Sequence, residues 1–294
     1  MPGLNMGINL PLVSVLMTAY NREKYITEAI ESVLASTYTN FELIIVDDGS
    51  IDRTVSIARS FEVIDNRVKV FTNEKNLGDY VNRNRAATLA TGKYLKYVDS
   101  DDLIYPYGLE TMVKAMEKFP EAALGITSRN TIPLKPFPIL LSPKEAYYNQ
   151  YFEYGILDYG PTGVIIRSDI FKESGMFSGK RFIGDKECWL KIAAINPIIE
   201  LPPALTFWRQ HESQEMRFEQ KTVNEGDFLI TYNLTVEILS NVDCPLNESE
   251  KKRVLQKQKR MYSRELIKYL IRTGHLLKAT KLLLELKLSI KDLF

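Results

Sequence analysis

Histidine, cysteine and tryptophan each occur only twice in this chain of 294 residues, and their scarcity removes several chemistries at once. Cys188 and Cys244 form neither a metal-ligand spacing nor a disulfide framework, so a reducing, cytoplasmic setting is expected. No uncharged apolar run of about 18 residues is present, which argues against a membrane-spanning helix. Met1 to Leu10 has no basic cluster ahead of its apolar stretch and so does not read as a signal peptide. The first apolar run is not followed by Gly-x-Gly-x-x-Gly, which weakens a nicotinamide or flavin dehydrogenase. Gly92-Lys93 and Gly179-Lys180 lack both the earlier glycine and the following Ser or Thr of a nucleoside-triphosphate loop. His-Glu-x-x-His and Gly-x-Ser-x-Gly are absent, leaving zinc protease and serine hydrolase readings without support.

What is present is an ordinary globular composition, 45% hydrophobic and 26% charged, long enough for a large α/β domain with an appendage. The formal charge of +1 hides an asymmetry: residues 251–294 hold 13 Lys and Arg against 3 Asp and Glu, a net of +10, which leaves −9 for the rest. An acidic body carries a basic tail.

Val13 to Met17 is an apolar run that stops at Thr18-Ala19-Tyr20-Asn21, and a helical pattern follows. Phe41 to Val46 ends in Asp47-Asp48-Gly49-Ser50 before a second helical pattern, where Ser50 or Asp52 suits the N-cap. Val68 to Phe71 leads through a polar loop to a helix over Val81 to Ala90. Strands alternating with helices at this spacing imply right-handed βαβ units and a mainly parallel, Rossmann-like sheet flanked by helices. The fourth strand, starting at Lys93, ends in Asp99-Ser-Asp101-Asp102. Ligands bind outside the carboxyl ends of such strands, and three carboxylates within four residues call for a cation; a hard divalent ion completed by phosphate oxygens is the economical choice. The same residues also suit a turn that caps the helix expected near Pro106.

Pro11 to Asn21, Val46-Asp-Asp-Gly-Ser50, Asn76-x-Gly78 with Arg83-Asn84, and Val98-Asp-Ser-Asp-Asp102 resemble, in order and spacing, the family 2 inverting glycosyltransferases of the GT-A fold over roughly residues 11–210. The resemblance implies that Thr18, Ala19, Tyr20, Asn21 and Asp48 hold the base and ribose of a nucleoside diphosphate sugar, with Arg83 lining the same pocket. It implies that Asp99, Asp101 and Asp102 form the Asp-x-Asp region, which binds ribose and the metal bridging the two phosphates, with Asp101, Asp102 and His211 as the residues that hold Mn²⁺ or Mg²⁺. Phe182-Ile-Gly-Asp185-Lys-Glu-Cys-Trp189 matches the segment supplying the base, which makes Asp185 the base and Glu187 the reserve, although Gly184 stands where the family usually has Glu. Asp185 also suits an N-cap. Phe207-Trp-Arg-Gln-His211 resembles the segment that closes the site, and Arg209 suits phosphate, carboxylate or solvent alike.

The expected organisation is a GT-A domain over 1–215, with a nucleotide-sugar half (1–130) and an acceptor half (131–215), followed by a basic helical region over 216–294. Ile132 to Pro143 reads as a proline-rich linker or flap, and the aromatics of Tyr147 to Tyr159 suit sugar rings or simple packing. Phe228 to Leu239 and Glu248 to Thr273 read as helices, with Gly274 ending the second and a further helix over Leu276 to Leu288. Basic amphipathic helices suit an anionic membrane surface, a dimer contact or solvent; nucleic acid is not expected, since no binding module accompanies the charge. The implied function is transfer of a sugar, from UDP first among nucleotides, to a glycan or lipid-linked acceptor in bacterial surface polysaccharide assembly. The rival classes are a nucleotidyltransferase, for which Thr18 to Lys24 lacks the Gly-rich basic loop, and a non-catalytic scaffold, which would be expected to have lost its acidic residues.

Overall fold

The computed structural model describes residues 10–129, 133, 135–212, 225–275, 280–281 and 284. Its centre is an eight-stranded sheet in the order β3-β2-β1-β4-β8-β6-β9-β7. The strands are β1 (Val13–Ala19), β2 (Phe41–Asp47), β3 (Val68–Thr72), β4 (Tyr94–Tyr97), β6 (Leu124–Thr127), β7 (Ile139–Leu141), β8 (Val164–Arg167) and β9 (Ile198–Leu201). A two-stranded antiparallel ribbon pairs β5 (Leu103–Ile104) with β10 (Thr206–Phe207).

β1 and β2 are buried along their whole length, because helices cover both faces and each strand can therefore be continuously apolar. Alternate residues serve opposite cores. Leu16, Ile44 and Val46 face one; Val15, Met17, Leu43 and Ile45 face the other. The first core is closed by α3 (Asp79–Leu89), α5 (Pro143–Phe152), α7 (Gly184–Ile195) and α8 (Glu225–Ser240), and the second by α1 (Ile26–Leu34), α2 (Thr54–Ile64) and α4 (Gly108–Lys118). A short helix, α6 (Ser168–Glu173), follows β8, and α9 (Glu248–Thr273) begins with a capping box of Asn247 and Glu250 and ends at Gly274 in the left-handed conformation.

β1, β2, β3 and β4 are parallel, so their following loops share one edge. β1 lies between β2 and β4, and the chain reverses its direction of travel across the sheet there. Such a switch point opens a crevice at the carboxyl ends of the strands. Antiparallel β8 brings the turn before it, Pro161–Gly163, to the same edge, and the β5–β10 ribbon carries residues 208–211 over the mouth.

Several expectations change. The proline-rich segment is not simply a linker: Ile139–Leu141 is an edge strand on β9, a position where the neighbouring prolines cost no sheet hydrogen bond. Ser50 and Asp52 are not the N-cap residue of α2. That position is Arg53, while Ser50 bonds Asp47 and Asn21 N, and Asp52 accepts from Thr54 N and Glu23 N. The aspartates after β4 do not cap α4, whose N-cap is Tyr107. Tyr147 and Tyr151 belong to the core. In the C-terminal region, Leu234, Ile238, Leu239, Leu246 and Val254 share a core with Trp189 of α7. Most of the helix expected over Leu276 to Leu288 lies outside the described residues.

Candidate active site

The loop after β1 is shaped by Asn21, which adopts φ 53°. Its N–H donates to Ser50 Oγ and its Oδ1 accepts from Ile51 N, binding this loop to the one after β2. Asn can adopt this left-handed conformation, and the side-chain bond holds it there. Thr18 and Ala19 are buried in β1, while Tyr20 is 44% exposed on the loop, where an aromatic face is available to a planar ligand. Asp48 is buried and accepts from Asn73 Nδ2 and from the backbone N–H groups of Leu77 and Gly78. Its carboxylate holds the loop after β3.

Arg83, on the inner face of α3, is buried and donates to both oxygens of Asp79 and to Asp99 Oδ1 at 2.6 Å. The next residue, Asn84, exchanges two hydrogen bonds with the backbone of Phe177. Adjacent residues of α3 thus bind the acidic mouth and the segment leading to α7.

At the mouth, Asp101 Oδ2 lies 3.0 Å from both Arg22 Nε and His211 Nε2. The His211 ring packs on Tyr25 at 4.3 Å. Arg209 donates its backbone N–H to Asp102 Oδ1 and its Nε to the Asp101 carbonyl, and pairs with Glu28, so carboxylate and carbonyl are its partners. Burial, with the Asp99 and Asp101 charges beside it, pushes the Asp102 carboxyl well above the usual carboxylate range. Beneath the mouth Lys96 is fully buried and bonds the Thr162 carbonyl; burial lowers its ammonium to about 7 against the opposing pull of Asp99 and Asp102. Thr162 Oγ1 accepts from Asp99 N.

The donor set suits a hard divalent ion. Asp101 and His211, a carboxylate and an imidazole 3.0 Å apart at the mouth, are the residues that would hold it. Among the described residues no three His, Cys, Asp or Glu converge as a metal cage: Asp101 and His211 stand together, and Asp102 turns aside to Arg209 N. Mg²⁺-type sites commonly take their remaining ligands from phosphate and water.

Asp185 lies in the first turn of α7, whose N-cap is Ile183, so it is not the cap. Burial pushes its carboxyl above the usual range, against the pull of Lys186 N, Arg83 and Tyr80. Its Oδ1 accepts from Tyr80 OH at 3.2 Å and from Lys186 N at 2.7 Å. Glu187 is 2% exposed, with Oε1 bound by Lys191 and Lys180 and Oε2 by Ser178; although burial raises it, these bonds hold it below the usual range, and both of its oxygens are taken. Arg22, Lys96, Thr162 and Tyr80 join the site without having been legible as site residues. For Arg22 a signal exists: it follows Thr-Ala-Tyr-Asn directly, in the loop beside the acidic one.

Residues 14–175 match the family model described as Glycosyl transferase family 2. An uncharacterized glycosyltransferase of Haemophilus influenzae is 30% identical over 230 residues, covering 74% of this chain and 71% of that protein. The putative teichuronic acid biosynthesis glycosyltransferase TuaG of Bacillus subtilis is 45% identical over 92 residues, 31% of this chain and 36% of its own length. Among solved structures, TarS 1-349 of S. aureus in complex with UDP-GlcNAc superposes with a TM-score of 0.65 at 23% identity, over 84% of this chain and 71% of that one. The mannosyltransferase PcManGT of Pyrobaculum calidifontis, in complex with GDP-Man and Mn²⁺, gives 0.66 at 16% identity, over 92% and 78%. The motifs, the switch-point site and these likenesses agree: the chain belongs to glycosyl transferase family 2, has the GT-A fold and is a glycosyltransferase.

Proposed function

We propose that the enzyme transfers a sugar, with inversion, from a nucleoside diphosphate sugar to a hydroxyl of a glycan or lipid-linked acceptor. The observation that carries this reading is the Asp185 carboxylate. One oxygen is held, while Oδ2 makes no hydrogen bond among the described residues, and α3, which reaches Asp185 through Tyr80, reaches the acidic mouth through Arg83. In the reaction Asp185 Oδ2 takes the acceptor proton as the acceptor oxygen forms its bond to the anomeric carbon. The bond from that carbon to the diphosphate breaks on the opposite face, and the electron pair leaves with the nucleoside diphosphate. Tyr20 stacks the base, Thr18, Ala19, Asn21 and Asp48 shape its pocket, and Arg83 and Asp99 hold the ribose side. Arg22 stands to share the charge of the diphosphate. Asp101 and His211, with Asp102 beside them, would hold Mn²⁺ or Mg²⁺, which stabilises the charge gathering on the leaving group.

UDP is the first nucleotide to test, because TarS was solved with UDP-GlcNAc. A role in surface polysaccharide assembly has support in the name of TuaG. The organisation into a GT-A domain (1–215, divided near 130) and a basic helical region (216–294) belongs to the same proposal. Among the described residues no helix is long and apolar enough to cross a membrane. The same proposal has the α9 face carrying Arg253, Lys257, Arg260, Arg264 and Lys268 rest on the anionic cytoplasmic leaflet.

The test is calorimetric binding of UDP, GDP, TDP and CDP, with and without Mn²⁺, to the wild type and to an Asp101→Ala, Asp102→Ala double variant. Metal-dependent binding of one nucleotide, lost in the variant, is expected. Binding unaffected by metal and by both substitutions would overturn the proposed metal site.

A further inference from the structure

Gly184 stands where the family resemblance implies a glutamate, and the fold shows what lies against it. A Cβ built on Gly184 would lie 2.9 Å from both Cε2 and Cζ of Tyr80. Side-chain carbons essentially never approach that closely, so only glycine admits the ring. From that position the Tyr80 hydroxyl accepts the Asp185 N–H at 3.2 Å and donates to Asp185 Oδ1 at 3.2 Å. The ring is steadied on its other side by Phe177, 5.2 Å between centroids. Burial and the Asp185 charge push the Tyr80 phenol far up, so it keeps its proton and remains a donor.

We infer that Tyr80, admitted by Gly184, is a positioning residue that holds Oδ1 of the Asp185 base and thereby presents Oδ2 to the acceptor hydroxyl. This rests on the reading of Asp185 as the base. Two hydrogen bonds, from Tyr80 OH and Lys186 N, fix Oδ1 and the plane of the carboxylate. Oδ2 faces Gly160, whose Cβ position is 3.9 Å away, so the glycine of the Pro161 turn leaves space beside the oxygen that must receive the proton. The pairing also joins two parts of the site. Tyr80 lies three residues before Arg83 on α3, so one helix touches the base through the first and the acidic mouth through the second.

A hydrogen bond donated to a carboxylate favours its charged form, which is the form a general base requires. Removing it moves the acid limb of the pH–rate profile to higher pH. With the donor saturating, kcat/KM for the acceptor is measured against pH for the wild type, Tyr80→Phe, Gly184→Ala and Asp185→Asn. Tyr80→Phe keeps the ring and its contact with Phe177, and its acid limb is expected to rise by about one pH unit, as for loss of one hydrogen bond to a charged group. Nucleotide affinity should stay at the wild-type value. Gly184→Ala should raise the limb in the same direction by displacing the ring, and the double variant should move it no further than the larger single change, since both act on one contact. Asp185→Asn should lose about 10²- to 10⁴-fold in turnover while binding nucleotide. If Asp185→Asn turns over normally, the base assignment fails and this inference with it. If Asp185→Asn is impaired while the Tyr80→Phe limb coincides with that of the wild type, the base stands and the positioning role of Tyr80 is refuted.

Discussion

Arg83 neutralises Asp99 at the acidic mouth, as Arg22 does Asp101. The Arg83 guanidinium is buried between Asp79 and Asp99 and lies over the Tyr97 ring. Breaking a buried pair leaves an uncompensated charge and costs about 3–5 kcal/mol, less where the surviving partners reach solvent. Asp79 and Asp99 are partly exposed, so Arg83→Met is expected to lose about 2–3 kcal/mol, read as a lowered urea midpoint, and to weaken nucleotide binding in parallel. Stability and affinity both at wild-type values would contradict the bridging role. Arg83 and Asp99 were legible as a pair of motifs. Their 2.6 Å contact was not, because they lie 16 residues apart on different elements and only the packing of α3 on the sheet brings them together.

The bonds between elements centre on Glu42 of β2. Its buried carboxylate accepts from Ser14 of β1, from the Thr91 backbone and hydroxyl, and from Lys69 of β3, joining three strands and the turn before β4. Burial alone would raise this carboxyl; the bonds from Lys69, Thr91 and Ser14 outweigh it and hold it at about 2. A folded-state value below the unfolded one means that the stabilisation is present above the unfolded value of 4.5 and is lost as the pH falls from there toward about 2. Denaturation midpoints should therefore fall across that window in the wild type and fall less in Glu42→Gln, which has no proton to take up. Identical pH profiles for the two proteins would rule out Glu42 as the cause. Element existence was readable from periodicity, and α9 matches its expected ends at Glu248 and Gly274 because its capping box and left-handed glycine are local signals. β7 was not readable. Three residues among prolines carry no strand signature until β9 lies beside them.

On the scale of the whole molecule, the acidic catalytic body and the basic C-terminal helix divide the charge between two surfaces. Arg253, Lys257, Arg260, Arg264 and Lys268 recur at spacings of three and four and so form one stripe. They line a cleft of about 670 Å³ against Phe152. Met261, Ile267 and Ile271 are exposed on the same helix, so cations for headgroups accompany aliphatics able to enter the interface. Each cation near an anionic surface contributes about 1 kcal/mol. The protein is expected to float with vesicles containing anionic phospholipid at low salt and to be released at high salt. Arg260→Glu with Arg264→Glu should reduce flotation at least tenfold without altering nucleotide binding. Equal recovery with neutral and anionic vesicles would refute an electrostatic contact.

The sequence by itself determined the family, the alternation of strands and helices, and the loops that would hold polar ligands, since these depend on residues close together along the chain. Asp185, His211 and Arg83 were named as candidates through the family resemblance, and Asp101 also through the run of carboxylates that contains it. Tertiary structure decided which of them meet. It placed Arg22 and His211 on one oxygen of Asp101, buried Lys96 beneath the mouth, closed off Glu187 with lysines, and set Tyr80 into the space left at Gly184. Those pairings span up to 110 residues, and no local pattern encodes them. They exist because parallel strands bring distant loops to one edge of the sheet and because one residue without a side chain admits an aromatic ring.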